Sequence, residues 1–434
     1  MKVERIERWA PHQAAAPRTS KARSGKLGVA ANGTRTCSGG WQIIHGGVKQ
    51  GQVYAIETAV SHRGLQHPRD TLVCLASWGR VPRGQSNVGG TGEWHYVLPR
   101  RVAANRLAFG RTLRAPKGAR YLTVRYVFRW SAAGSSTWTL PRVAPAKLEP
   151  GRAVKVCVVT GHMNARPSAP ITIRDNVAFY GRLCRAACKG RPDLILLPEI
   201  ALDWGVPGSA LDKAMRVPGP ETRAFAEIAR KHKVRIGLGM HERDGDAVHN
   251  SLVFVGPDGR VDGRYRKVHL AIGESFSGVM PGDSFPVFQT ELGRIGANIC
   301  MDSSCAESSR MVGLNGADFL CLSIMGDHRA DRWSPGPPVF SESRWKAIMR
   351  THAIDNQLCM VVARNRVQGS CVIDRKGDVL AWNEGDRDFV QATVRLEDGY
   401  RSWNGGCFRD VNWMQRRPHL YAAETDPANV GSLR

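Results

Sequence analysis

Residues 293–302 read GRIGANICMD. Ile295, Ala297 and Ile299 alternate along a β-branched, small-residue run, which predicts a buried strand that stops at Cys300. From Met301 onward, MDSSCAESSRMVGLNG predicts a helix. Cys300 therefore falls on a strand-to-helix junction, where unpaired N–H groups and the positive end of a helix dipole favour a thiolate. A cysteine buried within a strand is ordinarily a small hydrophobe. Local sequence leaves both readings open, and the remainder of the chain separates them.

The chain has 434 residues, beyond the roughly 250 to 300 at which single cores stop growing, so two domains are expected. Hydrophobic residues make up 42%, enough for globular cores, yet no run approaches the roughly 20 apolar residues that span a bilayer. The first 26 residues lack an apolar core followed by a small-residue cleavage site, so a cytoplasmic location without membrane attachment is expected. The net charge of +24 raises a polyanionic partner. Because the arginines are spread over both halves, a generally basic surface is preferred to a nucleic-acid face. Eleven cysteines are an odd number without a CxxC framework, which suggests reduced thiols. Cys184 and Cys188 share one face of a predicted helix, but without matching His or Cys pairs they read as core packing rather than a metal site.

The grammar changes along the chain. Residues 1–40 are rich in Lys and Arg and read as a solvated, disordered arm. From 41 to 146, segments such as QVYAIETAV, TLVCLASW and RYLTVRYVFRW alternate between Gly- and Pro-rich turns, the pattern of an antiparallel β-sandwich of jelly-roll-like character. Trp78, Trp94, Trp130 and Trp138 there read first as core or seam residues and second as stacking surfaces for a sugar. After a Pro-rich linker, AVKVCVVT, DNVAFYGRLCRAACKG, DLILLPE, ETRAFAEIARKH and VRIGLGM alternate strand and helix, predicting an α/β domain over 152–415 with a C-terminal tail at 416–434.

Two further ionisable residues stand just past apolar strands. Glu199 follows LILLP, and Lys267 sits in GRYRKVHLAIGES with Glu274 one turn later. Singly, these read as a cap acid, a surface cation and its partner. Together with Cys300 they form a chemical set: a thiol needs a base, and the oxyanion formed when it attacks a carbonyl or nitrile carbon needs a cation or N–H donors. Strand C-terminal ends gather such groups in α/β folds.

On LLPE, YRKVHL, IGE and GANICMD, the chain from about Ala153 to about Arg395 resembles the nitrilase superfamily of carbon-nitrogen hydrolases. HNSLVF with Asn250, VDGRYRK, MPGDSFPVF and ARNR follow in the family's order. The resemblance implies an α-β-β-α sandwich, with no metal or organic cofactor. It implies Glu199 as general base, Cys300 as nucleophile, and Lys267 with the Met301 N–H at the oxyanion. Glu274 would orient Lys267 or the substrate, and Asn250 and Asp302 would contact the substrate. Met301-Asp302 replaces the Trp-Glu pair usual in nitrile-cleaving members, which favours an amide or carbamoyl substrate. The expected function is thiol-dependent hydrolysis of a small linear amide by a homo-oligomer, a dimer or larger. The alternatives are N-carbamoyl-amide or nitrile hydrolysis, or a carbohydrate- or polyanion-binding protein that uses its sandwich. The stretch GDHRADRWSPGPPVFSE, 326–342, is expected to border the pocket.

Overall fold

Alternating apolar residues in the first third of the chain need a second sheet surface to bury against, and the chain supplies it. The computed structural model describes residues 1–80, 94–148, 151–161, 171–325, 339–396, 399–403 and 406–421. They fall into one unit of Met1–Glu149 with Arg401–Arg434, and another of Pro150–Tyr400.

The first unit is an 11-stranded, all-antiparallel sheet that closes over a single core. His95–Ala103 joins its two halves, pairing with Leu72–Gly79 at one end and with Arg106–Arg114 at the other. Trp138 is fully buried and stacks on Tyr126 at 4.3 Å between centroids, with Phe109 at 5.1 Å.

Two expectations are corrected here. Residues 1–40 are not a disordered arm: Lys2–Trp9 pairs with Ser38–Gly46, and Arg18–Lys21 pairs with Leu27–Ala30. A register shift between Val3 and Arg5 breaks the two-residue period, so the inward residues Val3 and Ile6 fall three apart and do not read as a strand. Residues 401–415 belong with the sandwich, not with the α/β unit. Helix Phe408–Gln415 buries Met414 against Val73, Tyr96 and Val127, and Arg111 holds Asp410 through two contacts of 2.5 and 3.1 Å. A partner some 300 residues away leaves no local trace.

In the second unit the strands relevant to the site are β1 (Ala153–Val159), β2 (Leu194–Leu196), β3 (Arg235–Asp244), β4 (Ala247–Val255), β5 (Val261–Arg266), β6 (Val287–Thr290), β7 (Gly293–Ile299), β8 (Phe319–Ile324), β9 (Cys359–Arg364), β10 (Cys371–Ile373), β11 (Val379–Trp382) and β12 (Phe389–Arg395). They build two sheets, ordered β5-β4-β3-β2-β1-β12 and β6-β7-β8-β9-β10-β11. The neighbours β1-β2-β3 and β7-β8-β9 run parallel. Inner faces of both sheets share one core, including Val156, Leu196, Ile295, Phe319 and Val361. Helices α1 (Ile173–Ala187) and α2 (Pro220–His232) cover the other face of the first sheet. Helices α4 (Ala306–Leu314) and α5 (Glu342–Asn356) cover that of the second, and α3 (Ile272–Phe276) follows β5. Cys184 and Cys188 are buried beneath α1 beside Cys157, where burial raises all three thiols. Among the described residues no helix is long and apolar enough to cross a membrane.

Facing strands in one core bring the C-terminal ends of β1, β2, β7, β8 and β9 to one edge. Ser323 Oγ, on β8, donates to Leu197 O at 2.8 Å, and Arg366 N–H, beyond β9, donates to Thr160 O, beyond β1, at 2.9 Å. Close approach of β3 sets the turn beyond β2: a Cβ on Gly239 would lie 2.0 Å from Pro198 O and 2.9 Å from Glu199 Cα. Gly239→Ala must displace backbone rather than a side chain. It is expected to destabilise the fold by about 1–3 kcal/mol and to cut activity beyond the loss of folded protein, checked by urea unfolding and turnover per folded molecule.

Candidate active site

Each reactive side chain stands where a strand gives out. Beyond β2, Leu197 N–H still donates to Gly237 O at 2.9 Å, and Pro198 then ends the pairing. Glu199 follows, and Ile200 turns into the left-handed region with φ +43°, unusual for a β-branched residue. Lys267 lies one residue past β5, its backbone fixed on both sides: its N–H donates to Asn250 O at 2.9 Å, and Gly282 N–H donates to its carbonyl at 2.8 Å. Cys300 follows β7 directly, also left-handed at φ +40°. It opens a 3-10 turn, Cys300–Ser304, rather than the continuous helix expected, and the chain re-extends at Cys305 before α4 begins. In general the N–H groups that open such a turn have no acceptor within the turn itself.

The side chains meet around Lys267, which is 1% exposed. Its Nζ donates to Glu199 Oε1 at 2.9 Å and to Glu274 Oε2 at 2.6 Å. Asn250 Nδ2 bridges the same two carboxylates, at 2.8 Å to Glu199 and 2.6 Å to Glu274. Both partners only accept, so the amide nitrogen must face them, which leaves the buried Oδ1 without a partner. Glu199 Oε2 accepts from Met325 N–H at 2.7 Å, just past β8, and Ala271 N–H donates to Glu274 Oε2 at 2.8 Å.

Burial works against the Lys267 charge, but the Glu199 carboxylate, the Cys300 sulfur once ionised, and the Glu274 carboxylate reverse this and hold its pKa above the ordinary lysine value. Burial likewise works to raise Glu274. The Lys267 charge and the hydrogen bonds from Asn250, Lys267 and Ala271 outweigh it, and the carboxyl lies below its ordinary range.

Arithmetic of donors shows what remains available. The ammonium has three N–H groups and uses two, and Glu199 has about four acceptor positions and uses three. Among the described residues one donor and one acceptor position are thus left over in a buried site, and Cys300 at the end of β7 is half-exposed.

Asp302 departs from the expected substrate contact. It is fully buried, and both its oxygens are engaged: Oδ2 accepts from Tyr265 OH at 2.6 Å and Ile299 N–H at 2.9 Å, and Oδ1 accepts from His269 N–H at 2.9 Å with His269 Nδ1 also at 2.9 Å. Tyr265 and His269 flank Lys267 by two residues on either side, and Ile299 precedes Cys300. One carboxylate therefore clasps the nucleophile's turn to the strand that carries the cation. The Met301 side chain is 40% exposed. Reading by residue type missed Tyr265, His269, Gly239 and the Met325 N–H. The spacing of Tyr265 and Lys267, two apart and so on one face of a strand, was the available signal for the first. Residues 326–338 of the stretch expected to border the pocket lie outside the described residues. Among the described residues no group of three or more His, Cys, Asp or Glu side chains is placed to hold a metal ion.

A buried acid–cation–acid set thus stands at the strand ends of a two-sheet α/β unit, and Cys300 stands at the end of β7. The family described as Carbon-nitrogen hydrolase matches residues 167–402, and the chain belongs to that family. It is 30% identical over 227 residues to a citrullinase of Francisella tularensis, covering 46% of this chain and 74% of that protein. It is 28% identical over 221 residues to the omega-amidase of Homo sapiens, covering 48% and 73% respectively. An N-carbamoylputrescine amidase of Oryza sativa subsp. japonica is 28% identical over 276 residues, covering 57% and 88%.

Removal of the clasp, Asp302→Ala, leaves the buried donors of Tyr265, Ile299 and His269 without an acceptor. At about 1–3 kcal/mol for each such group, unfolding in urea is expected to show a loss of at least about 2 kcal/mol. Glu274 supplies a pH signature. Its folded pKa lies below the ordinary 4.5, so the stability from its ionised pairing is complete above that pH and is lost as the pH falls through the folded value. Lys267 lies above its ordinary 10.5, so its contribution is complete below that pH and is lost only as the pH rises past the folded value. In Glu274→Gln the fall in stability between about pH 5 and pH 3 is expected to be shallower than in the wild type, as read by denaturant midpoints across that range.

Proposed function

We propose that the protein hydrolyses a small linear amide through a thioester on Cys300. Support comes foremost from one observation: the Lys267 ammonium lies between the carboxylates of Glu199 and Glu274, withdrawn from water. Glu199, with one acceptor position left, takes the thiol proton as sulfur attacks the carbonyl carbon. The negative charge then developing on oxygen meets the third N–H of Lys267 and the N–H of Met301. Collapse breaks the C–N bond, and Glu199 returns its proton to the leaving ammonia or amine. Water, deprotonated by the same carboxylate, attacks the thioester, the C–S bond breaks, Glu199 returns that proton to the Cys300 sulfur, and the acid is released. Glu274 touches Lys267 and acts by fixing the ammonium's direction. General-base assistance of this kind contributes about 10²–10⁴-fold, and a single oxyanion donor about 10²–10³-fold.

A second reading, hydrolysis of an N-carbamoyl amide, has specific support in the likeness to the N-carbamoylputrescine amidase. The products separate the two, since carbamoyl cleavage releases carbon dioxide as well as ammonia. Nitrile hydrolysis has less support, because Met301-Asp302 follows the nucleophile. Assembly as a homo-oligomer belongs to the same reading.

Cys300→Ala is expected to lower turnover of any amide the wild type cleaves by about 10⁴-fold or more. Intact-protein mass spectrometry of the wild type with that amide is expected to show an adduct of the acyl mass on Cys300. Full turnover by the variant would sink the covalent route.

A further inference from the structure

Inward positions of a β-sandwich are ordinarily apolar, and at one end of the first unit they are not. Val60, Leu107 and Arg101 stand side by side across three strands, Val53–Arg63, Arg106–Arg114 and His95–Ala103, and residues directly opposite on a ladder share a face. Val60 and Leu107 belong to the buried core, so Arg101 projects on the core side. His62, two residues past Val60, lies on the same side. Its Nε2 is shielded from solvent and has no hydrogen-bond partner. A buried polar atom left unmet is costly unless a partner arrives.

His62 and Arg101 line a cleft of about 550 Å³ at this mouth of the sandwich, a volume that suits a small ligand. Leu65 and Leu107 give it an apolar floor continuous with the core. One wall is the imidazole pair of His67 and His419, stacked at 3.9 Å between centroids with planes 14° apart. Among the described residues Asp70 is the only acid lining the cleft, and it already faces Arg417 and His419, at 3.7 Å each. Arg69 and Arg101 line it as well, and among the described residues no carboxylate pairs with either. The cleft therefore carries uncompensated positive charge beside an apolar floor. A guanidinium edge with no acceptor is where an oxyanion binds.

We propose that this mouth binds a small organic anion, a carboxylate or phosphate monoester on a compact apolar body, with the oxyanion on Arg101 beside His62 and the body against Leu65 and Leu107. The sandwich unit supplies every residue of the site, so the assignment stands apart from the hydrolase reading. His62 reports on it. Burial, and after it the Arg101 charge, holds that imidazole below its ordinary pKa. An oxyanion on Arg101 offsets the second effect and favours the imidazolium, so binding is linked to proton uptake at His62.

The full chain is titrated with benzoate, with phenyl phosphate and with uncharged benzyl alcohol, read by saturation-transfer NMR. At least one of the two anions is expected to bind with a Kd of about 1 mM or tighter, and about tenfold or more tightly than benzyl alcohol. Whichever anion binds better tells a carboxylate site from a phosphate site. Arg101→Met is expected to weaken that anion about tenfold, and Arg101→Lys to restore part of the loss, with thermal unfolding confirming that both variants are folded. A second readout does not depend on affinity: the isotope-labelled His62 ring, assigned with His62→Gln, should titrate at higher pH with the anion present than without it. Failure of both anions to bind, equal affinity for benzyl alcohol, an affinity unmoved in Arg101→Met, or an unmoved His62 titration would overturn the proposal. Each of these outcomes leaves the hydrolase reading in place.

Discussion

The ammonium of Lys267, withdrawn from water and held between two carboxylates, is the constraint around which the α/β unit is arranged. An ion set of this kind is a poor source of stability, because desolvation offsets most of the attraction, and apolar residues of equal volume would serve the fold as well or better. Its persistence in a buried position therefore points to chemistry. Glu199, Glu274 and Lys267 together carry one net negative charge while the thiol is neutral. In the proposed reaction the proton passes from sulfur to Glu199 and that total does not change; the negative charge only moves, from carboxylate to sulfur to the substrate oxygen. Each of those positions adjoins the same ammonium, so little rearrangement is required as the charge shifts.

Holding reactive groups at strand ends requires backbone that strands do not supply. Seven non-glycine residues among those described have positive φ. Arg191, Lys233 and Gln357 terminate helices, where a left-handed residue is ordinary. Ile200, Cys300 and Arg366 do not. They lie beyond β2, β7 and β9, on the edge where the acid and the thiol are found. Conformations of this sort cost roughly 1–3 kcal/mol each and persist only where surroundings fix them. The clasp at Asp302 and the close approach of Gly239 are such surroundings, and neither is reactive. The site thus depends on residues whose work is to keep three unfavourable turns in place.

This division explains what the sequence disclosed. Strands β1, β2, β3 and β7 are buried on both faces and read as apolar runs, so the residues ending them, Glu199 and Cys300, were conspicuous. Lys267 was legible because a cation among strand residues is hard to place in a core. Asp302 was named for the wrong task, since a pattern gives a residue's position but not the direction its carboxylate takes. Residues 1–40 were misread for a different reason: a bulge between Val3 and Arg5 shifts the period of the first strand, and charged residues on its outer face resemble a solvated arm. Helix Phe408–Gln415 and the pairing of β1 with β12 depend on contacts more than two hundred residues apart, which no local window contains.

The same distinction bears on the net charge. An arginine-rich chain invites a polyanion, yet many of the guanidinium groups are laid against aromatic rings. Arg125 packs over Trp9 and Trp94 at 4.1 and 4.2 Å, Arg129 and Arg417 over Trp130 at 3.7 and 4.7 Å, and Arg364 over Phe340 and Trp345 at 4.8 and 4.6 Å. Tryptophans that composition offered as sugar-stacking surfaces thus have arginine planes on them, apart from Trp138 in the core and Trp78, which tilts against Tyr54. Guanidinium suits this use because its faces are weakly hydrated and its edge still donates hydrogen bonds. Arg125, for example, donates from Nη2 to Gln42 Oε1 at 3.1 Å while its faces meet the two indoles. Arg366 shares the stacked geometry, between Phe179 at 4.6 Å and Trp204 at 5.0 Å, so much of the positive charge is spent on packing against rings rather than held out for a polyanion.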